Sequence, residues 1–327
     1  LLNGDKGHIL TSEDLNNFSD EELKLILPKI HVVARALPTD KSRLVRIAKS
    51  LGLVVGMTGD GVNDSSALKQ SDVGFAMGSG SEVSKEASDI VILDDNFSSL
   101  SNAIRYGRTI FKSIRKFIIF QLTVNLSAVS IVFLGPFFGI EFPLTIIQLL
   151  WINIIMDTLA AIAFGGEPAL ERFMKEPPIK RDAHILTKDM VSSIVTGAVF
   201  ITGFSLFFLT SDYFKGLFTR GGVYDETVFL TAFFNLFVFF ITLNSFNART
   251  ERFNLFENIY QNKNFIRVIA LILSMQVLFT YIGGNVLRAT ALTLNEWLVI
   301  IGCSLLIIPI DLTRKLVKKW ADKIYQI

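Results

Sequence analysis

The 327 residues are 50% hydrophobic, 29 of them Phe, and 32 basic against 30 acidic side chains leave a net charge of +2. That balance, with no basic tract interleaved with aromatics, excludes nucleic acid as a partner class, and a lone cysteine, Cys303, excludes an internal disulfide framework. Charge is concentrated in residues 1–116 and long apolar stretches follow, which predicts an aqueous domain ahead of a polytopic membrane domain.

The chain opens at Leu1 in a polar Gly/Asp/Lys stretch without a starting Met or a signal peptide, and reads as beginning inside a longer protein. Residues 11–28 read as helical, with Thr11 or Ser12 as cap and a second capped start at Ser19 ahead of Asp20, Glu21 and Glu22. Residues 30–34 (IHVVA) are short and β-branched, as a buried strand should be. Residues 40–51 place Leu44, Val45, Ile47, Ala48 and Leu51 on one helical face, and Gly52 ends the helix. Strand 53–57 (LVVGM), helix 63–70, strand 73–77, helix 82–87 and strand 90–93 complete an alternation that predicts a parallel sheet covered by helices on both faces.

From residue 112 six spans follow, at about 115–138, 143–164, 189–211, 226–246, 266–286 and 295–312, each near the ~20 residues a bilayer requires. The expected division is 1–111 and 112–327. Basic residues crowd linkers 101–116, 165–188 and 247–265 and the tail. The alternate linkers hold only Lys215, Arg220 and Arg288. Positive charge marks the cytoplasmic face, so both ends of the chain are expected there.

The densest chemistry lies in Thr58-Gly59-Asp60-Gly61-Val62-Asn63-Asp64. Two carboxylates at the carboxyl end of a parallel strand sit where open α/β sheets place ligands. Asp60 and Asp64 are hard oxygen donors suited to Mg2+, which binds through one or two carboxylates plus a phosphate. Asn63 can donate to a phosphoryl oxygen. A surface turn is the competing reading for such Gly/Asp/Asn residues, and the strand context argues against it. Lys41, in Pro38-Thr39-Asp40-Lys41-Ser42, offers an ammonium that could neutralise a phosphoryl group during transfer, where an isolated lysine would simply be solvated.

Polar groups inside spans form a second constellation. Asn153 and Asp157, in WINIIMDT, are four apart and expected on one helical face; Asn125, in FQLTVN of the preceding span, is the matching amide. An unpaired aspartate near mid-bilayer costs about 2.5–3.5 kcal/mol, and a cation held by oxygens offsets that. For Asn125 an interhelical hydrogen bond is an equal alternative. Gln121, Gln148, Asn235, Asn244 and Gln276 read as helix-joining amides, and Glu167 and Asp311 as acids at span ends within reach of water. Asp157 pointing at lipid or water would sink the cation reading.

The segments PTDKSRLV and MTGDGVNDSSALKQSDVGFAMGSGSEVSKEASDIVILDDNF resemble the hinge and phosphorylation domain of P-type cation-transporting ATPases, in the haloacid dehalogenase superfamily, and WINIIMDTLAAIAFGGEP with FQLTVNLSAV resembles calcium pumps of the plasma-membrane type. The resemblance implies a partial haloacid dehalogenase-like α/β domain followed by six transmembrane helices. It implies Asp60 on Mg2+ with Asp64 in support, Lys41 and Asn63 on the phosphoryl group, and Asn125, Asn153 and Asp157 on the transported Ca2+. ATP is the implied energy source, through an aspartyl phosphate that drives helix movements. The DKTGT motif that carries that aspartate, the TGE loop, the nucleotide-binding domain and four membrane helices do not occur here. The chain is therefore expected to need the amino-terminal half of the same protein and to be inactive alone. Ala128 and Met156 replace ligand positions of two-site calcium pumps, and the fourth span has no acid, which implies one calcium per cycle. A pump for manganese, magnesium, sodium or potassium and a non-catalytic membrane module are the alternatives.

Overall fold

The computed structural model describes residues 8–180 and 182–324. The chain divides into two units, one of residues up to Arg108 with Leu170–His184, the other of Thr109–Ala169 with the residues from Ile185 onward.

The first unit is α/β. Strand β1 (His8–Thr11) runs parallel to β2 (Ile30–Ala34), and between them lie helices α1 (Ser12–Asn17) and α2 (Asp20–Ile26). The predicted 11–28 helix is broken because Thr11 and Ser19 each form a reciprocal capping box, with Asp14 and Glu22. Two strong start signals eight residues apart favour two short helices over one long one. Helix α3 (Pro38–Ser50) buries Val45 and Ile47, and Ile47 packs with Leu15 and Leu23 into a small core. Arg43 ties α3 to the helices before it, with Nε on Asp20 and guanidinium N–H groups on the Leu15 and Phe18 carbonyls.

A separate parallel sheet holds β3 (Gly56–Gly59), β4 (Val73–Met77) and β5 (Ile90–Ile92), in that order. Helices α4 (Ser65–Gln70) and α5 (Glu82–Ala87) make the crossovers. The expected strand 53–57 thus begins three residues late, and β1 appears where no strand was read. Leu53 and Val54 are about half exposed. Their β-branched or apolar character has no cross-strand partner to act on, and β propensity counts only where a neighbour packs. The segment Leu170–His184 joins this unit because Arg105 pairs with Glu171 at 3.1 Å and Arg108 donates to the Phe173 and Glu176 carbonyls.

The second unit is all-α. Among the described residues six helices are long and apolar enough to cross a membrane: Phe97–Phe138, Ile146–Gly165, Lys188–Thr210, Glu226–Arg249, Lys263–Ile282 and Leu294–Ile324. The first is helix α6 (Phe97–Leu134) with a terminal 3-10 turn. The second is α7 (Ile146–Leu150), a π-helical turn over Trp151–Met156, and α8 (Asp157–Gly165). Then come α9 (Lys188–Thr210), the short α10 (Asp212–Leu217), a hairpin of β6 (Thr219–Arg220) and β7 (Val223–Tyr224), and α11 (Glu226–Arg249). Gly221 and Gly222 turn the hairpin with φ of +59° and +81°, the conformation that two-residue turns demand. Helices α12 (Lys263–Ile282), α13 (Gly284–Leu287), α14 (Leu294–Ser304) and α15 (Ile307–Ile324) close the set.

Helix α11 is the hub of this unit. It is buried nearly without a break from Val228 to Ser245 and packs on α9, α12, α14 and α15. Its Phe229 stacks on Phe208 of α9 with ring centres 5.2 Å apart, so both are packing residues.

The two acids expected at watery span ends are instead buried. Glu167 sits between Lys116 (2.5 Å), Arg249 (2.8 Å) and Asn262 (2.8 Å). Asp311 is held by Arg314 at 2.6 Å and Lys315 at 2.8 Å. Lys116 and Arg249 reach Glu167 from distant parts of the sequence, whereas the cations on Asp311 lie one turn along its own helix; in both cases the pairing makes burial tolerable.

Candidate functional site

In the first unit the strand β3 ends at Gly59 and delivers Asp60 at its carboxyl end, and a 3-10 turn over Val62–Asp64 leads into α4. Two features fix this loop. The Asp60 carbonyl accepts from Ser81 N–H at 2.8 Å and from Ser84 Oγ at 3.1 Å. A Cβ on Gly59 would lie 2.4 Å from Asp64 Cβ, and one on Gly80 would lie 2.9 Å from the Asp60 carbonyl, so both glycines permit close packing that a side chain would block. The far end of the Gly78–Ser81 loop is pinned by Asp95, which accepts from Ser79 N–H at 3.1 Å. That backbone bond, with further help from the Ser79 hydroxyl, holds the Asp95 carboxyl below the usual carboxylate range.

The structure brings Lys41 and Asp64 together: Lys41 Nζ lies 2.5 Å from Asp64 Oδ1, and Asp64 is 6% exposed. Lys41 is aimed by the first turn of α3, where buried Asp40 accepts from Leu37 N–H (2.9 Å) and from Ser12 Oγ (2.6 Å). Asp60 and Asn63 are exposed at the loop surface. The arrangement presents an ammonium, a free-standing carboxylate and an amide from one loop and the adjacent helix start. This donor set suits Mg2+: Asp60 offers a hard anionic oxygen to solvent, and Asp64, engaged by Lys41, lies within the same short loop. The contribution of Gly78–Ser84 was unreadable from the motif alone, because its Ser residues act by holding a backbone carbonyl.

In the second unit Gln121, Asn125, Asn153 and Asp157 line one groove of about 1010 Å³, whose remaining wall is apolar. Asp157 is 9% exposed and begins α8, directly after the π turn that contains Asn153. Asn153 is exposed and Asn125 partly buried. Among the described residues the hydrogen bond to the Asp157 carboxylate comes from Gln121 Nε2 and not from either asparagine. Asp157 Oδ1 and Gln121 Oε1 are buried without hydrogen-bond partners. No group of three or more His, Cys, Asp or Glu placed to hold a metal ion occurs among the described residues. A cation in this groove is therefore offered one carboxylate and several amides.

The start of the π turn is anchored from the other side. Trp151 Nε1 donates to Gln276 Oε1 (2.9 Å), Gln276 Nε2 to Asn235 Oδ1 (3.0 Å), and Thr280 Oγ1 to the same Asn235 oxygen (2.9 Å). The helix-joining role expected for Gln276 and Asn235 is what these bonds provide, and Gln148 likewise donates to the Leu287 carbonyl at 2.8 Å.

Comparison with known proteins gives two family matches. Residues 141–317 match the family described as cation transporting ATPase, C-terminus, and residues 51–104 match the haloacid dehalogenase-like hydrolases. Over 312 residues the chain is 38% identical to calcium-transporting ATPase 4, plasma membrane-type, of Arabidopsis thaliana, covering 94% of this chain and 30% of that protein. It is 36% identical over 320 residues to calcium-transporting ATPase 1, plasma membrane-type, of Oryza sativa subsp. japonica, again 94% of this chain and 30% of the relative. The calcium-transporting ATPase PAT1 of Dictyostelium discoideum is 36% identical over 342 residues, with the same coverage of 94% and 30%. The chain thus spans about 30% of the length of these relatives.

Proposed function

Because the chain belongs to the cation-transporting ATPases, matching their carboxy-terminal region over 141–317, we propose that it forms the carboxy-terminal part of an ATP-driven calcium pump of the plasma-membrane type. The names of its relatives support calcium as the cargo. The observation that carries the reading is Asp157, nine-tenths buried in an apolar helix with one carboxylate oxygen unpartnered on a groove lined by amides. Calcium takes six to eight oxygens. Asp157, Asn125 and Asn153 would supply part of that shell and residues beyond this chain the rest, in keeping with one calcium per cycle.

In the aqueous unit the reading assigns Lys41 and Asn63 to the phosphoryl group and Asp60, supported by Asp64, to Mg2+. Bound Mg2+ would neutralise developing phosphate charge. Lys41 adds a second positive charge, and its 2.5 Å contact with Asp64 keeps it oriented. No DKTGT sequence occurs in these residues. The aspartate that takes the phosphoryl group from ATP is proposed to lie in sequence beyond them, and turnover to require it.

The test is ATP-dependent uptake of calcium by vesicles carrying the full-length protein. Asp157→Asn keeps the size and removes the charge, and uptake should fall to background. Uptake at the wild-type level, or stimulation by manganese, sodium or potassium in place of calcium, would overturn the assignment.

A further inference from the structure

Gln121 lies one turn ahead of Asn125 on α6, and its amide is the group bonded to Asp157. That single bond leaves an acceptor stranded at each end, Gln121 Oε1 and Asp157 Oδ1, both buried. A buried acceptor without a donor costs about 1–3 kcal/mol, and the low dielectric of a membrane interior sharpens the penalty. No rearrangement of the pair alone removes both, since an amide has donors on nitrogen only. A cation satisfies two oxygens at once. It also competes with the Gln121 NH2, because both present positive charge to the same carboxylate. The terminal torsion of glutamine is broad and two-fold, so a half-turn puts Oε1 where Nε2 stands without moving either helix.

We propose that Gln121 is a cation-responsive amide switch. Its NH2 holds Asp157 before an ion arrives, and the turned amide gives Oε1 to the ion as a ligand beside the carboxylate. The inference rests on Asp157 being a ligand of the transported cation, and adds a ligand and a conformational step to that site.

The experiment measures the calcium concentration for half-maximal ATP-dependent uptake, and the maximal rate, in vesicles carrying the full-length protein. Gln121→Met keeps the side chain's length and loses both polar atoms. It should raise the half-maximal concentration about tenfold, the equivalent of ~1.4 kcal/mol, with the maximal rate held near wild type. Gln121→Glu restores an oxygen at the same reach and has no NH2 to compete with the ion, so it should return the half-maximal concentration to the wild-type value or below. A structural role alone would lower the amount of folded protein or the maximal rate and would show no rescue by Glu. An unchanged half-maximal concentration in Gln121→Met, or equal impairment in Gln121→Glu, overturns the switch. Should Gln121→Met not accumulate, Gln121→Asn, one methylene shorter, replaces it against Gln121→Glu with the same expected order. Asp157→Asn, measured alongside, separates the two readings. Active Asp157→Asn removes the cation site itself, whereas inactive Asp157→Asn with a wild-type Gln121→Met removes only the switch.

Discussion

At Glu167 burial alone would raise the carboxyl's pKa. Lys116, through charge and a hydrogen bond, then the Asn262 amide and the Arg249 charge, outweigh burial and hold it below its ordinary value of 4.5. A carboxylate whose folded pKa is depressed stabilises the fold above its unfolded pKa and loses that contribution as pH falls through the folded one. Arg249 is nearly fully buried here, with 2% of its side chain exposed, so removing its anion strands a charge. Glu167→Gln should lower stability by about 3–5 kcal/mol at pH 7. Thermal unfolding of the detergent-solubilised protein should show the gap between variant and wild type narrowing below pH 4.5. A gap of equal size at pH 7 and in acid would argue against the ion network. None of this was legible in the sequence, where Glu167 follows two glycines and looks like an acid at a span end. Residues 116, 249 and 262 reach it only once the helices are packed.

The elements show which local signals suffice. The capping boxes at Thr11 and Ser19, the strand at 73–77 and the six apolar stretches were readable because each rests on residues close in sequence. The π turn was not. WINIIM holds no Gly or Pro to mark a departure, and Trp151 at the head of the turn is bonded to Gln276, itself bonded to Asn235, on two other helices that lie far along the chain. Similarly, Asn153 and Asp157 were read as sharing a face from α-helical spacing; both line one groove, yet one is exposed and the other buried. A double-mutant cycle tests the anchor. Trp151→Phe and Gln276→Leu should each destabilise, and the double variant should lose less than their sum by about 0.6 kcal/mol, the average for hydrogen bonds between membrane helices. Strict additivity would mean that the bond contributes nothing to holding the turn.

For the whole molecule the legible part was class and order: a parallel α/β region, then membrane helices. The sidedness remains a matter of charge. In a variant of the full-length protein with its native cysteines replaced, a cysteine at Lys323 should react with an impermeant maleimide added to the cytoplasmic face of the membrane, and one at Lys215 should be shielded from it. The reverse pattern would place both ends of the chain on the opposite side of the membrane.

Helix α11 has one more consequence, for biosynthesis. It is the fourth of the six spans to leave the ribosome, yet the side chains that satisfy Asn235 come from Gln276 and Thr280, and the carbonyl that takes Asn247 belongs to Ile307. A nascent chain stalled before residue 263 would hold the Asn235 amide in lipid with its partners Gln276 and Thr280 still unmade. Insertion of this helix is therefore provisional until its successors arrive, and truncations within the last two spans should be recognised by quality control as incomplete.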